Sequence, residues 1–76
     1  TLCVQPVEIG LTDRQSQVLA LMVRGLSNRD IAEQLELSEG TVKIHATAVF
    51  KKLGVSSRTQ ALVAVARYGI DFENVF

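Results

Sequence analysis

The chain holds one cysteine and one proline among its 76 residues, and its formal charge balances at zero. Cys3 alone cannot close an internal disulfide, which fits a reducing cytoplasm. With one cysteine and one histidine, neither C-x-x-C nor H-x-x-x-H spacing exists, so no zinc set is available. No glycine-rich phosphate loop or G-x-S-x-G turn appears, and pairing Cys3 with His45 would need an unsupported fold-back. An enzyme is therefore not expected, nor is a metal or cofactor. There is no apolar run of about eighteen residues and no signal-peptide pattern, so neither membrane insertion nor export is indicated.

What is present reads as one small all-α domain. A domain of this size buries only roughly 60% of the surface its unfolded chain exposes, so it must pack efficiently. An apolar fraction of 47% with almost no proline suits a compact bundle. Residues 1–10 contain that proline, Pro6, and show no helical period. They read as the end of an interdomain linker, and a start at Thr1 rather than Met implies part of something longer. Residues 11–70 carry the domain, and residues 71–76 form a C-terminal tail.

Four helix starts are visible. Thr12-Asp13-Arg14-Gln15 and Ser57-Arg58-Thr59-Gln60 are capping boxes, and Leu11 can staple the first of them. Ser27 with Asp30 makes an approximate box, and Ser38 is a good N-cap. Gly25, Gly54 and Gly69 stand where helices should stop. Ile31, Ala32 and Leu35 give the second helix a narrow apolar stripe, and Ala32 is small enough for close helix crossing. In the third helix Val42, Ala46, Val49 and Leu53 share one face. Gly40, Lys43, Ile44, Thr47 and Lys51 lie on the opposite arc. Two capped helices separated by Glu36-Leu37-Ser38 describe a helix-turn-helix, in which one helix braces the next against the DNA major groove. Many such turns contain glycine, and this one does not. Either the turn is longer or a non-glycine residue adopts a left-handed conformation.

Charge supports this reading only after the chain is divided. Residues 40–70 hold five basic residues, Lys43, Lys51, Lys52, Arg58 and Arg67, and no acid. The remainder holds three basic and eight acidic residues. Such asymmetry suits a protein that turns one basic surface towards phosphates. The fourth helix, in turn, has more apolar surface than one inward face needs. Ala61, Leu62, Val65 and Tyr68 suffice for packing, whereas Val63 and Ala66, bordered by Thr59 and Ile70, form a second patch. A helix apolar on two sides is usually buried twice, here through self-association.

Taken together, the motifs resemble a known family. Leu11-Thr12-x-Arg14, Gly25-Leu26-Ser27-Asn28-Arg29-x-Ile31-Ala32, Leu35-x-Leu37-Ser38-x-x-Thr41-Val42-Lys43-x-His45, Lys52-Leu53-Gly54-Val55 and Arg58-Thr59-Gln60-Ala61 are similar to the LuxR-type, or GerE-like, helix-turn-helix output domain. The resemblance implies a bacterial transcriptional regulator whose tetrahelical domain dimerises on DNA through its fourth helix. It also implies an upstream phosphorylatable receiver or small-molecule sensor, a cytoplasmic setting, and RNA polymerase as a further partner. By position, Lys43, Ile44 and Thr47 would meet base edges, and Asn28 and Thr41 would lie near phosphates. Lys51, Lys52 and Arg58 are expected on the DNA backbone, and Thr59, Val63, Ala66 and Ile70 at the dimer joint. Three positions depart from the pattern: Thr47 where some relatives have Lys, Ala48 where many have Asn, and Gln15 in place of Glu.

Side-chain chemistry leaves some choices open. Lys43 can donate to guanine O6 or N7 or simply neutralise a phosphate. Ile44 suits a thymine methyl or the edge of the core, and His45 suits packing or an interhelical hydrogen bond more than DNA. A sigma-factor-like promoter reader and a helix-turn-helix used for protein contact are the competing functions. The second should carry apolar anchors in place of Lys43 and its polar neighbours. The first should require polymerase core.

Overall fold

Each helix begins where a hydroxyl accepts a hydrogen bond from the backbone. Thr12, Ser27, Ser38 and Ser57 accept from the amides of Gln15, Asp30, Thr41 and Gln60 at 3.1–3.2 Å. In the computed structural model, which describes residues 4–73, 75 and 76, these caps open α1 (Asp13–Val23), α2 (Asn28–Leu35), α3 (Glu39–Leu53) and α4 (Arg58–Tyr68). Residues 1–3 of the expected linker, Cys3 among them, and residue 74 of the expected tail lie outside the described residues. Each cap contributes on the order of 1 kcal/mol. Around Thr12 the box closes in both directions, because the Thr12 amide donates to Gln15 Oε1 at 3.1 Å. At α4 it is displaced by one residue: Gln60 Oε1 accepts from the amide and hydroxyl of Ser56, at 2.8 and 3.0 Å.

The turn between α2 and α3 resolves the missing glycine. Glu36 itself is left-handed, with φ 58° and ψ 44°, and is the one non-glycine residue with positive φ among those described. The Leu37 amide then donates back to Ala32 O at 2.8 Å. This six-to-one bond satisfies a terminal carbonyl of α2, and half-buried Leu37 packs on the core beside it. A left-handed non-glycine residue costs roughly 1–2 kcal/mol, which this bond and packing offset.

The core lies between α1, α2 and α3. Val18, Leu19, Leu21 and Met22 of α1 meet Ile31 and Ala32 of α2 and Val42, Ala46, Val49 and Leu53 of α3, all of them buried. Thus α3 buries the face its spacing predicts, and its opposite face is held outward by contact with the other three helices. No strand is present among the described residues apart from one isolated bridge.

That bridge changes the reading of both chain ends. The Val4 amide donates to Gly69 O at 3.0 Å, and the Asp71 amide donates to Val4 O at 2.8 Å. Pro6–Ile9 forms a 3-10 turn, Pro6 is buried, and Gln5 Nε2 reaches Asp71 Oδ2 at 3.2 Å. Residues 4–10, expected to be the end of a linker, are therefore tied down, Val4 and Gln5 to residues 69–71 and the Pro6–Ile9 turn beside α1. Ile70, expected at an outer patch, is 9% exposed and joins the core. Tyr68, expected inward, is 47% exposed. The inner face of α4 is instead Ala61, Ala64 and Val65, with Leu62 half-buried. The cause is tertiary: the left-handed Gly69, φ 64°, ends the helix before Ile70, and the chain turns inward to pair with Val4.

Candidate nucleic-acid interface

The outer face of α3 is a straight consequence of its inner one. With Val42, Ala46, Val49 and Leu53 buried, residues on the far side of a 3.6-residue helix must face solvent. Gly40, Lys43, Ile44, Thr47, Ala48 and Lys51 line one shallow apolar groove there. No carboxylate lies among them. Ile44 is 69% exposed, which excludes the edge-of-core role. Among the described residues, this branched apolar side chain beside two lysines is left largely uncovered.

Thr47 is constrained. Its hydroxyl donates to the Lys43 carbonyl at 2.9 Å, the back-bond typical of threonine inside a helix. The α3 N-terminus is organised by Ser38 and Thr41, whose hydroxyls lie 2.9 Å apart while Ser38 Oγ caps the Thr41 amide. A second concavity runs beside the first. Ser27 and Asn28 at the start of α2, Lys43, Thr47 and Phe50 of α3, and Arg58 of α4 line it. Half-buried Phe50 is not singled out by sequence reasoning; its place seven residues after Lys43 puts it near the same helical edge. His45 is half-buried, at the border of the core face.

The expected basic residues do not all share this surface. Lys43 and Lys51 are exposed on the groove. Lys52 lies about 180° around the helix from Lys43. Its side chain leans over Gly10, where an added Cβ would come within 3.4 Å of Nζ, and it lines a separate cleft with Val4, Ile9, Leu53 and Tyr68. Arg58, expected on the DNA backbone, is half-buried. Its Nη2 donates to the carbonyl of Leu26 and also approaches that of Met22 at 3.4 Å, so the guanidinium turns into the α1–α2 turn rather than projecting as a free arm.

On α4, Val63 is 56% exposed, and with Thr59, Gln60 and Arg67 it borders a hollow that reaches Leu53 and Val55. Ala66 is also exposed, so three of the four residues expected at a joint between copies are accessible and Ile70 is not. Among the described residues no cluster of potential metal ligands occurs, and no helix is long and apolar enough to cross a membrane.

Comparison with known proteins agrees with this geometry. Residues 10–65 match the family described as bacterial regulatory proteins, luxR family. The transcriptional regulatory protein LnrK of Bacillus subtilis is 47% identical over 62 residues, covering 82% of this chain and 28% of that protein. DegU of Brevibacillus brevis, also a transcriptional regulatory protein, is 46% identical over 86% of this chain and 27% of its own length. The chain thus spans a little over a quarter of these relatives. Among solved structures, the transcription factor GerE superposes with a TM-score of 0.70 at 41% identity, over 83% of this chain and 96% of that one. The response regulator ChrA of a heme-sensing two-component system gives 0.72 at 41% identity, over 76% of this chain and 29% of its own.

Proposed function

The chain belongs to the luxR family of bacterial regulatory proteins as a transcription-regulator output domain, and from that premise we propose how it reads double-stranded DNA. Helix α3 enters the major groove. Lys43 donates to guanine O6 or N7, and Ile44 packs on a thymine methyl. Thr47, its hydroxyl held by the Lys43 carbonyl, offers its methyl. Lys51 neutralises a phosphate on one side of the groove. Thr41 and Asn28, at the openings of α3 and α2, meet phosphates where helix N-termini favour anions. Lys52 touches only flanking backbone, and Arg58 is left out of the contact set. The observation that carries this reading is Ile44, exposed between Lys43 and Lys51 on a face whose reverse buries Val42, Ala46, Val49 and Leu53.

Two copies meet on DNA through Val63, Thr59 and Ala66. So small a contact is weak in free solution, because association must offset lost translational and rotational freedom. Neighbouring half-sites raise the effective concentration and permit it. The domain works in the cytoplasm as the output end of a longer protein, behind a receiver or a small-molecule sensor. The likeness to ChrA supports the receiver. It acts on transcription through the operator and RNA polymerase, without membrane contact or catalysis.

A mobility-shift titration with salt, in the absence of polymerase, tests the reading. Each neutralised phosphate contributes roughly −0.9 to the log–log slope, so Lys51 and Lys52 on two copies give about −4. A slope near zero would remove the DNA-binding reading, and a requirement for polymerase core would favour a sigma-like reader.

A further inference from the structure

We infer that Arg58 is a positioning residue for the interface, one that holds the start of α2 in place from the first position of α4. This rests on the DNA-binding reading above. The geometry comes from three observations. The basic residue nearest the α1 C-terminus, Arg24 at its C-cap, places its guanidinium over the Phe76 ring, 5.2 Å from the centroid. Arg58 supplies a second cation from a distance of 36 residues by approaching Met22 O, and 32 residues away it also donates to Leu26 O. Leu26 immediately precedes Ser27, which caps α2 by accepting from the Asp30 amide, and Ser27 and Asn28 line the concavity beside Lys43 and Thr47.

The guanidinium thus fastens the α1–α2 turn to the start of α4 at the point where the turn hands over to α2. It is planar and always charged, and the two N–H groups of Nη2 point in fixed directions towards the two carbonyls, whereas a lysine ammonium on a flexible stem is not pre-organised in this way. Asn28 and the free amides of the first turn of α2 are the groups it places. The same contact joins two functional surfaces. Arg58 begins the helix whose outer face carries Thr59 and Val63, so a shift of α4 on pairing moves the α2 start with it.

The test uses Arg58→Gln, Arg58→Lys and Asn28→Ala, singly and combined, with Lys51→Gln as the phosphate control. Lys51→Gln should flatten the salt slope by about 0.9 per domain. Arg58→Gln should weaken binding about tenfold with the slope unchanged, and Arg58→Lys should restore only part of it. In the Asn28→Ala background the Arg58→Gln loss should shrink to about twofold, because both changes act through one contact. Amide exchange of free Arg58→Gln should quicken at Asp30 and Ile31 while Val49 stays protected. A slope flattened as in Lys51→Gln would make Arg58 a phosphate arm and overturn the inference. Additive losses, or exchange quickened equally in every helix, would reduce it to a general stability role. If Arg58→Gln fails to fold, Arg58→Lys carries the same slope and exchange comparison. Failure of the parent chain to bind any operator, by contrast, would remove the DNA reading itself.

Discussion

Helix α3 and helix α4 are both amphipathic in sequence, yet only α3 presents the face its spacing suggests in every particular. Val42, Ala46, Val49 and Leu53 follow a strict alternation of four and three, and the other three helices pack against α3 around them. Helix α4 is shorter and buries mainly small residues, Ala61 and Ala64, beside Val65. Its apolar residues are spread around the helix, so their spacing does not choose a single inner face. The choice is made by the two chain ends, where Val4 pairs with Ile70 and leaves Tyr68 outside. Periodicity identifies a face when the helix is a packing hub. At a margin, distant segments decide.

Several substitutions would break or sharpen that contrast. The largest effect is expected from Leu53→Ala, at the end of the buried α3 stripe. It should cost about 2–5 kcal/mol of unfolding free energy by denaturant titration. A loss under about 0.5 kcal/mol would show that α3 is not the hub. Ile70→Ala is the counterpart at the α4 margin and should cost about 2 kcal/mol, near the lower end for buried aliphatic truncations. Were Ile70 part of an outer patch instead, stability would hold and only cooperative binding would fall.

On the outer face of α3, Lys43→Ala should lose about 1–3 kcal/mol on the correct operator and flatten discrimination at one base pair. Lys51→Ala should weaken operator and random DNA alike. Equal, sequence-independent losses would make both residues backbone contacts. Val63→Glu on the outer side of α4 should change stability by no more than about 0.5 kcal/mol, while cooperative binding to paired half-sites disappears. Unfolding of that variant would reverse the faces of α4. The smallest effect belongs to the turn. Glu36→Gly relieves the left-handed strain but adds chain entropy in the unfolded state, so a net gain of at most about 1 kcal/mol is expected, with operator affinity unchanged. A loss of stability would mean that the Glu36 side chain matters to the turn.

Much of the candidate site was legible in the sequence because it depends on local geometry. Cap hydroxyls reach amides three residues on, and residues of one helix share a face by rotation alone. For that reason the starts of all four helices, the groove-facing set of Gly40, Lys43, Ile44, Thr47 and Lys51, and a left-handed option at the glycine-free turn could be read from spacing. Spacing also left both Lys52 and Arg58 available as phosphate contacts. Nothing in their neighbourhood says that Lys52 leans over Gly10 or that Arg58 turns towards Leu26.

Local chemistry suffices for the helical starts and stops, the two faces of α3 and the concentration of basic charge in residues 40–70. These follow from hydrogen bonds across three or four residues and from a fixed rotation per residue. The tertiary structure alone decided that Glu36, rather than a longer turn, carries the positive φ, that Ile70 is core, and that Gln5 clasps Asp71. It also decided that Arg58 binds carbonyls far back along the chain. The physical reason lies mainly in sequence separation. Partners 32 to 66 residues apart meet only after the core has closed, and which donor then finds which acceptor depends on where that closure leaves unpaired groups.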